Sequence, residues 1–215
     1  MELNKIINDD CMNIITKVPD KFFDLAIVDP PYGIGADKFF KNFKGYRKSK
    51  NCSYKNFTEK NWDNCIPDQK YFTELFRISK NQIIWGGNYF IEYLKNTSCF
   101  IILDKKNRGT SFADAELAWT SFKTRVRTFS YSMNNLYAKE NKIHPTQKPI
   151  ALYRWILQNY AKENDKIIDT HSGSGSLAIA CLLENFDFLA IEKDKHYYQK
   201  SVKRLEEEKK QLKLF

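Results

Sequence analysis

Short apolar segments, each ending at or just before a polar residue or a glycine, recur along the chain of 215 residues and predict the strands of a sheet. The segments are nearly continuous rather than alternating, which is typical of parallel strands covered on both faces. The predicted strands are Phe22–Val28, Gln82–Trp85, Cys99–Leu103, Lys166–Asp169 and Phe186–Ile191.

Apolar positions at helical spacing lie between these strands and predict the helices Asp68–Ile78, Ile150–Tyr160, Leu177–Leu183 and Asp194–Leu212. The third is almost wholly apolar, so we expect it to be buried, whereas the fourth is rich in Lys and Glu and is expected to face solvent. Alternation of strands and helices predicts an α/β fold: a doubly wound, Rossmann-like sheet, mostly parallel, with helices on both faces. Residues 1–215 are expected to form one domain.

Two segments, residues 34–62 and 105–143, lack a sustained period, apart from one plausible strand at Glu116–Phe122. Long connections in compact domains are usually functional or disordered. We therefore treat both segments as candidates for binding a substrate.

Positive charge is concentrated in the first of these segments. The chain carries a net charge of +9, and Ala36–Trp62 has eight Lys and Arg against two acids, with seven aromatic residues interleaved. A solvated surface loop is one explanation, but phosphates pair with such charges and bases stack on such rings, which favours a nucleic-acid surface. The candidate contacts are Lys41, Lys44, Arg47, Lys48, Lys50, Lys105, Lys106 and Arg108.

Composition argues against several other classes. The sequence has no apolar run of about 18 residues, and its N-terminal residues lack the apolar core of a secretory signal, so no membrane association is expected. The five cysteines are scattered without a CxxC pair, so neither a disulfide framework nor a metal site is expected. A cytoplasmic location fits these features best.

The first chemical motif, Asp29-Pro30-Pro31-Tyr32, directly follows a predicted strand. An ionised Asp29 only accepts hydrogen bonds, Pro30 keeps a carbonyl but has no N–H, and two prolines stiffen the turn. An amino group with two hydrogens matches this pair of acceptors, and Tyr32 adds a flat ring. A rigid turn without chemistry is the alternative explanation.

The second motif is a Ser/Gly-rich turn at residues 169–176, between a strand and the helix predicted to be buried. Such turns allow a ligand to approach the backbone closely. Glu192 ends the next predicted strand, where an acid can hold ribose hydroxyls. Turns of this composition also begin many ordinary helices.

The third motif, His144-Pro145-Thr146-Gln147-Lys148-Pro149, precedes a predicted helix. Capping of that helix by Thr146 or Gln147, with Pro149 in the first turn, is a sufficient explanation. Binding of a cofactor carboxylate near Lys148 is the functional alternative.

Together, the three motifs resemble those of the β class of DNA amino-methyltransferases, in which the catalytic motif precedes the cofactor-binding turn along the chain. The resemblance extends from about Leu3 to Lys203 and is greatest to small adenine methylases of phage or prophage type, to which the segments 84–90 and 112–119 are also similar. It implies a methyltransferase sheet with the catalytic half first and a reaction on the N6 amine of a flipped-out adenine in DNA.

The resemblance also implies the role of each matching residue. Asp29 and the Pro30 carbonyl would hold the target amine, with Pro31 stiffening the turn and Tyr32 stacking on the base. Asp10 and Cys11 would lie near the cofactor's adenine, and Glu192 would hold its ribose. The methionine part of S-adenosylmethionine would lie near Thr146, Lys148, Asp169, His171, Ser172, Gly173, Ser174, Gly175 and Ser176.

Two departures from the family pattern stand out. Thr170 and His171 replace the usual Pro and Phe. The chain is also too short for a large separate target-recognition domain, so the segments 34–62 and 105–143 are the candidate target-recognition segments. Methylation of cytosine N4, of RNA or of a protein amide remains an alternative, as does a DNA-binding module without catalysis. A homodimer and a restriction partner are open possibilities.

Overall fold

The computed structural model describes residues 1–35, 63–110, 112–132, 140 and 142–212, and these residues form one eight-stranded sheet with helices packed against it. The predicted α/β class is confirmed, because the sheet is mostly parallel and helices cover both of its faces. The strands are β1 (Lys5–Asn8), β2 (Phe23–Val28), β3 (Ser79–Trp85), β4 (Phe100–Asp104), β5 (Ala115–Thr120), β6 (Arg127–Ser130), β7 (Lys166–Asp169) and β8 (Asp187–Glu192).

The strand order across the sheet is β1-β8-β7-β2-β3-β5-β4-β6. The first five strands in this order are parallel to one another. β5 runs antiparallel to both neighbours, β3 and β4, whereas β6 is parallel to β4. The prediction of a mostly parallel sheet is therefore correct, and its one reversal falls within the segment 105–143.

The helices are α1 (Cys11–Ile15), α2 (Gln69–Ile78), α3 (Ile150–Tyr160), α4 (Ser176–Leu183) and α5 (Lys195–Leu212), with short 3₁₀ turns at Gly87–Tyr89 and Ile91–Tyr93. α3 has the predicted bounds, and α2 begins one residue late because Asp68 is its N-cap, accepting a hydrogen bond from the Tyr71 N–H. The sequence prediction omitted α1, β1 and β6, which are short. β6 is also an edge strand with mostly exposed residues, so its apolar pattern is weak.

The core lies on both faces of the sheet. Leu25 and Ile27 pack on one face with α3 and α4, while Ala26 and Val28 pack on the other face with α2. Residues Ser176 to Cys181 of α4 are all buried, as predicted. Burial on both faces explains why the strands have continuous apolar runs.

Strand order also positions the site. β2 pairs in parallel with β7, so the turns after their carboxyl ends, which carry Asp29 and Ser172, lie at the same edge of the sheet. β8 follows on the other side of β7 and brings Glu192 to that edge, and β1 beside β8 brings Asp10. Ligands of open α/β sheets bind at this edge.

Candidate active site

A single cleft at this edge contains both halves of the predicted chemistry. It has a volume of about 810 Å³, and Asp29 lines it together with Gly173 of the glycine turn. The other sequence-predicted residues lining it are Asp10, Cys11, Pro31, Thr146, Lys148, His171, Ser172, Ser174, Ser176 and Glu192. Among the described residues, Pro30, Tyr32, Asp169 and Gly175 belong to the same turns but do not line the cleft.

The Asp29–Tyr32 turn is held by hydrogen bonds to two carboxylates. The Tyr32 hydroxyl donates to Asp29 Oδ1 at 2.5 Å, and the backbone N–H groups of Tyr32 and Gly33 donate to Asp63 Oδ1 at 2.7 and 2.9 Å. Asp63 is almost fully buried, so it fixes the turn from behind. Nothing in the sequence pattern singled out Asp63, because 30 residues separate it from Gly33 along the chain.

The Tyr32 ring packs against the segment that follows β3. It stacks on Tyr89 with centroids 5.0 Å apart and an interplanar angle of 15°. Gly86, in the left-handed region with φ +70°, lies so close that a Cβ there would be 2.2 Å from the ring. The ring is therefore held by Gly86 and Tyr89, and stacking of Tyr32 on a target base stays a prediction.

Lys148 is placed differently from the sequence expectation, although it lines the cleft. Its ammonium group donates to Asp29 Oδ2 at 2.5 Å and forms an ion pair with Glu116 Oε2 at 3.1 Å. Glu116 in turn pairs through Oε1 with Lys105 at 2.8 Å. Sequence reasoning missed Glu116, since an acid in a strand has many explanations until its partners are known.

The glycine turn is closed by its own backbone and by Glu192. The Ser172 N–H donates to the Ile191 carbonyl at 2.9 Å, and the Gly173 N–H donates to Glu192 Oε2 at 2.7 Å. Gly173 and Gly175 have positive φ values of 51° and 72°, which favour glycine. Glu192 thus both ties down the turn and lines the cleft.

The residues around this turn fit S-adenosylmethionine. The Ser172 hydroxyl is buried at the cleft wall with no hydrogen-bond partner among the described residues, so a polar ligand atom is its natural partner. The Asp10 and Glu192 carboxylates line the same cleft and have remaining lone pairs that can accept hydrogen bonds from hydroxyl or amino groups of a ligand. The small side chains of the glycine and serine residues in this turn leave space for a ligand to lie against the turn backbone.

His171, for which the resemblance implied a departure from the family pattern, packs between Thr170 and Tyr71. Thr170 Oγ1 lies 2.9 Å from its Nδ1, and its ring makes an edge contact with Tyr71, whose hydroxyl also bonds Thr170. Burial lowers the pKa of His171 to about 4, although the Asp10 carboxylate opposes this shift. The imidazole is therefore neutral at pH 7 and presents an uncharged ring to the cleft.

The segment before α3 corrects the expectation about capping. Pro149 is the N-cap and makes no side-chain cap, and Glu140 Oε1 accepts the Ile150 N–H at 2.9 Å instead. Thr146 Oγ1 bonds His144 Nδ1 at 3.1 Å and lines the cleft. The prediction that Thr146 or Gln147 caps the helix is wrong, because the side chain of Glu140, which lies outside the motif, accepts the hydrogen bond from the first N–H of the helix.

The predicted DNA contacts divide into two groups. Lys41, Lys44, Arg47, Lys48 and Lys50 lie outside the described residues. Lys106 and Arg108 are exposed, whereas Lys105 turns inward to Glu116. Within the described part of the chain, no cluster of three His, Cys, Asp or Glu side chains could hold a metal ion, and no helix is long and apolar enough to span a membrane.

The fold and the cleft define a class: an open, Rossmann-like α/β sheet with the Asp29 turn and the glycine turn at one ligand-binding edge. A family profile described as DNA methylase, of the N6/N4 type, matches residues 79–203, and the chain belongs to this family. The class of protein that the motifs indicated is thereby confirmed, and S-adenosylmethionine as cofactor agrees with it.

Individual relatives support the same class. The chain is 27% identical to the Type II methyltransferase M.HinfI of Haemophilus influenzae over 254 residues, covering 95% of this chain and 69% of that protein. The crystal structure of an M1.HpyAVI–SAM complex matches 94% of this chain and 98% of that chain, with a TM-score of 0.60 and 22% identity. The structure of PvuII DNA methyltransferase, which is cytosine-N4-specific, matches 97% of this chain and 92% of that chain, with a TM-score of 0.59 and 11% identity.

Proposed function

We propose that this protein methylates the N6 amine of adenine in DNA, with S-adenosylmethionine as the methyl donor. The observation that carries the proposal is the cleft shared by the Asp29 carboxylate and the turn Ser172–Gly173–Ser174. Asp29 would bind the amine, and the Ser172–Gly173–Ser174 turn would let S-adenosylmethionine approach the backbone closely. The methyl donor and the amine that accepts the methyl group would therefore meet in one cleft.

The catalytic turn prepares the amine for attack. Asp29, which lines the cleft, accepts one amine hydrogen, and the carbonyl of the adjacent Pro30, although Pro30 itself does not line the cleft, would accept the other. Together they would localise the nitrogen lone pair that the base ring otherwise delocalises. Tyr32 orients Asp29 through the hydrogen bond to Oδ1. Because a carboxylate has about four lone-pair positions, Asp29 keeps acceptor capacity while bonded to Tyr32 and Lys148.

S-adenosylmethionine would supply an electrophilic methyl group and leave as the neutral thioether, while the amine held by Asp29 would supply the lone pair for the new N–C bond and lose its proton to water. Ser172 and the glycine turn hold the donor, Asp10 and Glu192 accept hydrogen bonds from it, and His171 contacts it as a neutral ring. The task of the protein is positioning and polarisation, without a covalent intermediate.

Adenine is favoured over cytosine by Asp29, because the related cytosine-N4 enzymes usually have Ser at the first position of the motif. Cytosine N4 is the second candidate, since the family includes both activities and the N4-specific PvuII enzyme shares the fold. The net charge of +9 and the exposed Lys106 and Arg108 support DNA as the substrate, which also agrees with a cytoplasmic location.

The test compares Asp29→Ala with Asp24→Ala, because the two acids lie on or beside the same strand and each pairs with a lysine. Methyl transfer from labelled S-adenosylmethionine to duplex DNA, followed by nucleoside analysis, should give N6-methyladenine with the wild type and Asp24→Ala, and none with Asp29→Ala. Cofactor affinity, measured by calorimetry, should be retained in both variants.

Three results would contradict the proposal in different ways. Transfer by Asp29→Ala at the wild-type rate would remove Asp29 from the mechanism. N4-methylcytosine as the product would assign the enzyme to the second candidate. Methylation of RNA but not of DNA would change the substrate and leave the chemistry in place.

A further inference from the structure

Four charged side chains of alternating sign form a row that begins at the catalytic carboxylate. Asp29 follows β2, Lys148 precedes α3, Glu116 lies in β5 and Lys105 follows β4. Successive charged atoms are 2.5, 3.1 and 2.8 Å apart. Four separate segments of the chain thus meet in one row. The transfer step proposed for Asp29 gives no role to Glu116 or Lys105.

Lys148 is the centre of this row. Its side chain is 4% exposed, and its ammonium group lies within reach of Asp29 Oδ2, Glu116 Oε2 and the Tyr32 hydroxyl at 3.3 Å. An ammonium group has three N–H donors, so each donor has one acceptor. Glu116 is the one acceptor of the three that does not belong to the catalytic turn.

The charge of Glu116 changes the electrostatics at Asp29. Asp29 and Lys148 alone form a neutral pair, which would give little electrostatic stabilisation to a positive charge nearby. Methyl transfer places a positive charge on the amine nitrogen held by Asp29. Glu116 offsets part of the Lys148 charge that would otherwise neutralise Asp29, while Lys105, on the other oxygen of Glu116, brings the four side chains to a net charge of zero. A carboxylate that shares its counterion with a second acid keeps more of its negative charge for the nitrogen beside it, which stabilises the charge that develops there.

We propose that Glu116 is a positioning residue for methyl transfer: it shares the Lys148 ammonium group with Asp29, which leaves the Asp29 carboxylate with the orientation and the negative charge needed to hold the target amine. The inference rests on the proposed function of Asp29. In this arrangement Lys148 connects Asp29 to Glu116, in addition to any contact with the cofactor, and Lys105 holds Glu116 in place.

Asp29, Lys148 and Glu116 shift one another's pKa values. Burial of Glu116 opposes its charge, but Lys148 and Lys105 outweigh burial and lower its pKa to about 2. Burial raises the pKa of Asp29 above its ordinary value; Lys148 counteracts this, and Glu116 adds to it. The titratable or charged groups that interact with Asp29 or Glu116 are Lys105, Lys148, Tyr32, Tyr71, Tyr153 and Asp169.

Glu116→Gln tests the proposal because it keeps the shape and removes the charge. We expect the single-turnover rate on duplex DNA to fall on the order of tenfold, with cofactor affinity unchanged. We also expect the acid limb of the pH–rate profile to move to lower pH, since removal of Glu116 lowers the pKa of Asp29. The combination of a lower rate and a lower acid limb is a signature that loss of stability does not produce.

Two further variants serve as controls. Glu184→Gln removes the carboxylate from another ion pair, with Arg154 at 2.5 Å, and should leave the rate and the pH profile unchanged. Glu116→Asp keeps the charge, so its acid limb should stay at the wild-type position even if the shorter side chain lowers the rate.

The following results would overturn the inference. A wild-type rate and profile in Glu116→Gln would show that Glu116 has no influence on Asp29. A parallel loss of rate, cofactor affinity and melting temperature without a shift of the acid limb would show a structural role only. Failure of the proposed function is distinguishable, because it appears as activity retained in Asp29→Ala.

Discussion

Substitution of Gly86 by Ala tests how tightly the Tyr32 ring is held. Gly86 has φ +70°, and a Cβ at this position would lie 2.2 Å from Cε1 of Tyr32. Carbon atoms in contact are about 3.5 Å apart, so the ring would have to retreat by about 1.3 Å. The Tyr89 ring stacked on Tyr32 and the hydrogen bond from Tyr32 to Asp29 oppose such a movement.

Two costs add up in Gly86→Ala. Left-handed backbone costs an alanine about 1–2 kcal/mol, and overpacking costs about 1–3 kcal/mol, so we expect the free energy of unfolding to fall by about 2–5 kcal/mol. Gly109→Ala is the matched control, because Gly109 has φ +83° and no atom lies within 4 Å of the place that its Cβ would take. That variant should lose only the backbone cost, about 1–2 kcal/mol.

The catalytic effect follows from the displaced Tyr32 hydroxyl. A hydrogen bond to a charged group contributes about 1.5–3 kcal/mol, so its loss at Asp29 should slow methyl transfer by roughly 10- to 150-fold. Gly86 does not line the cleft, so cofactor affinity should be unchanged. The assays are denaturant unfolding, single-turnover methylation of duplex DNA and calorimetric cofactor binding.

Two outcomes would refute this reasoning. Equal losses of stability in Gly86→Ala and Gly109→Ala would show that the Tyr32 ring does not press on Gly86 in solution. A Gly86→Ala protein that is destabilised as expected but transfers methyl groups at the wild-type rate would show that the contact between Tyr32 and Asp29 does not affect catalysis.

The remaining predictions concern pH dependence and DNA binding. Burial raises the pKa of Asp169 to about 8, so the folded protein keeps a proton that the unfolded chain releases near pH 4. The free energy of unfolding should therefore fall by up to about 1.4 kcal/mol per pH unit between about pH 4 and 8. Asp169→Asn should flatten this dependence in denaturant unfolding, and an unchanged slope would show that Asp169 is ionised when folded. Replacement of four basic residues of the segment 34–62 by Gln should weaken DNA binding and reduce its salt dependence in fluorescence anisotropy titrations. The slope of log affinity against log salt concentration should change by about 0.9 for each phosphate that the variant no longer neutralises. An unchanged salt slope would mean that these residues do not contact phosphates. The residues to replace are Lys44, Arg47, Lys48 and Lys50.

The sequence by itself determined the elements whose signals are local. β2 with its Asp29–Tyr32 turn, β7 with its glycine turn, and α3 are predictable because a continuous apolar run, two prolines or a glycine constrains the backbone at that place. The chemistry of each motif could be deduced for the same reason, since the groups that act together lie within a few residues. The resemblance to methyltransferases joined these motifs into one function.

Tertiary structure alone decided which of these groups meet. Lys148 pairs with Asp29 across 119 residues of chain, and Glu116 reaches Lys148 from β5, the strand that runs against its neighbours. The helix cap from Glu140 and the stack of Tyr89 on Tyr32 are contacts of the same kind. Side chains distant in sequence become neighbours only through the order of strands in the sheet, and that order depends on the burial of all the strands together. No local pattern of residues contains it.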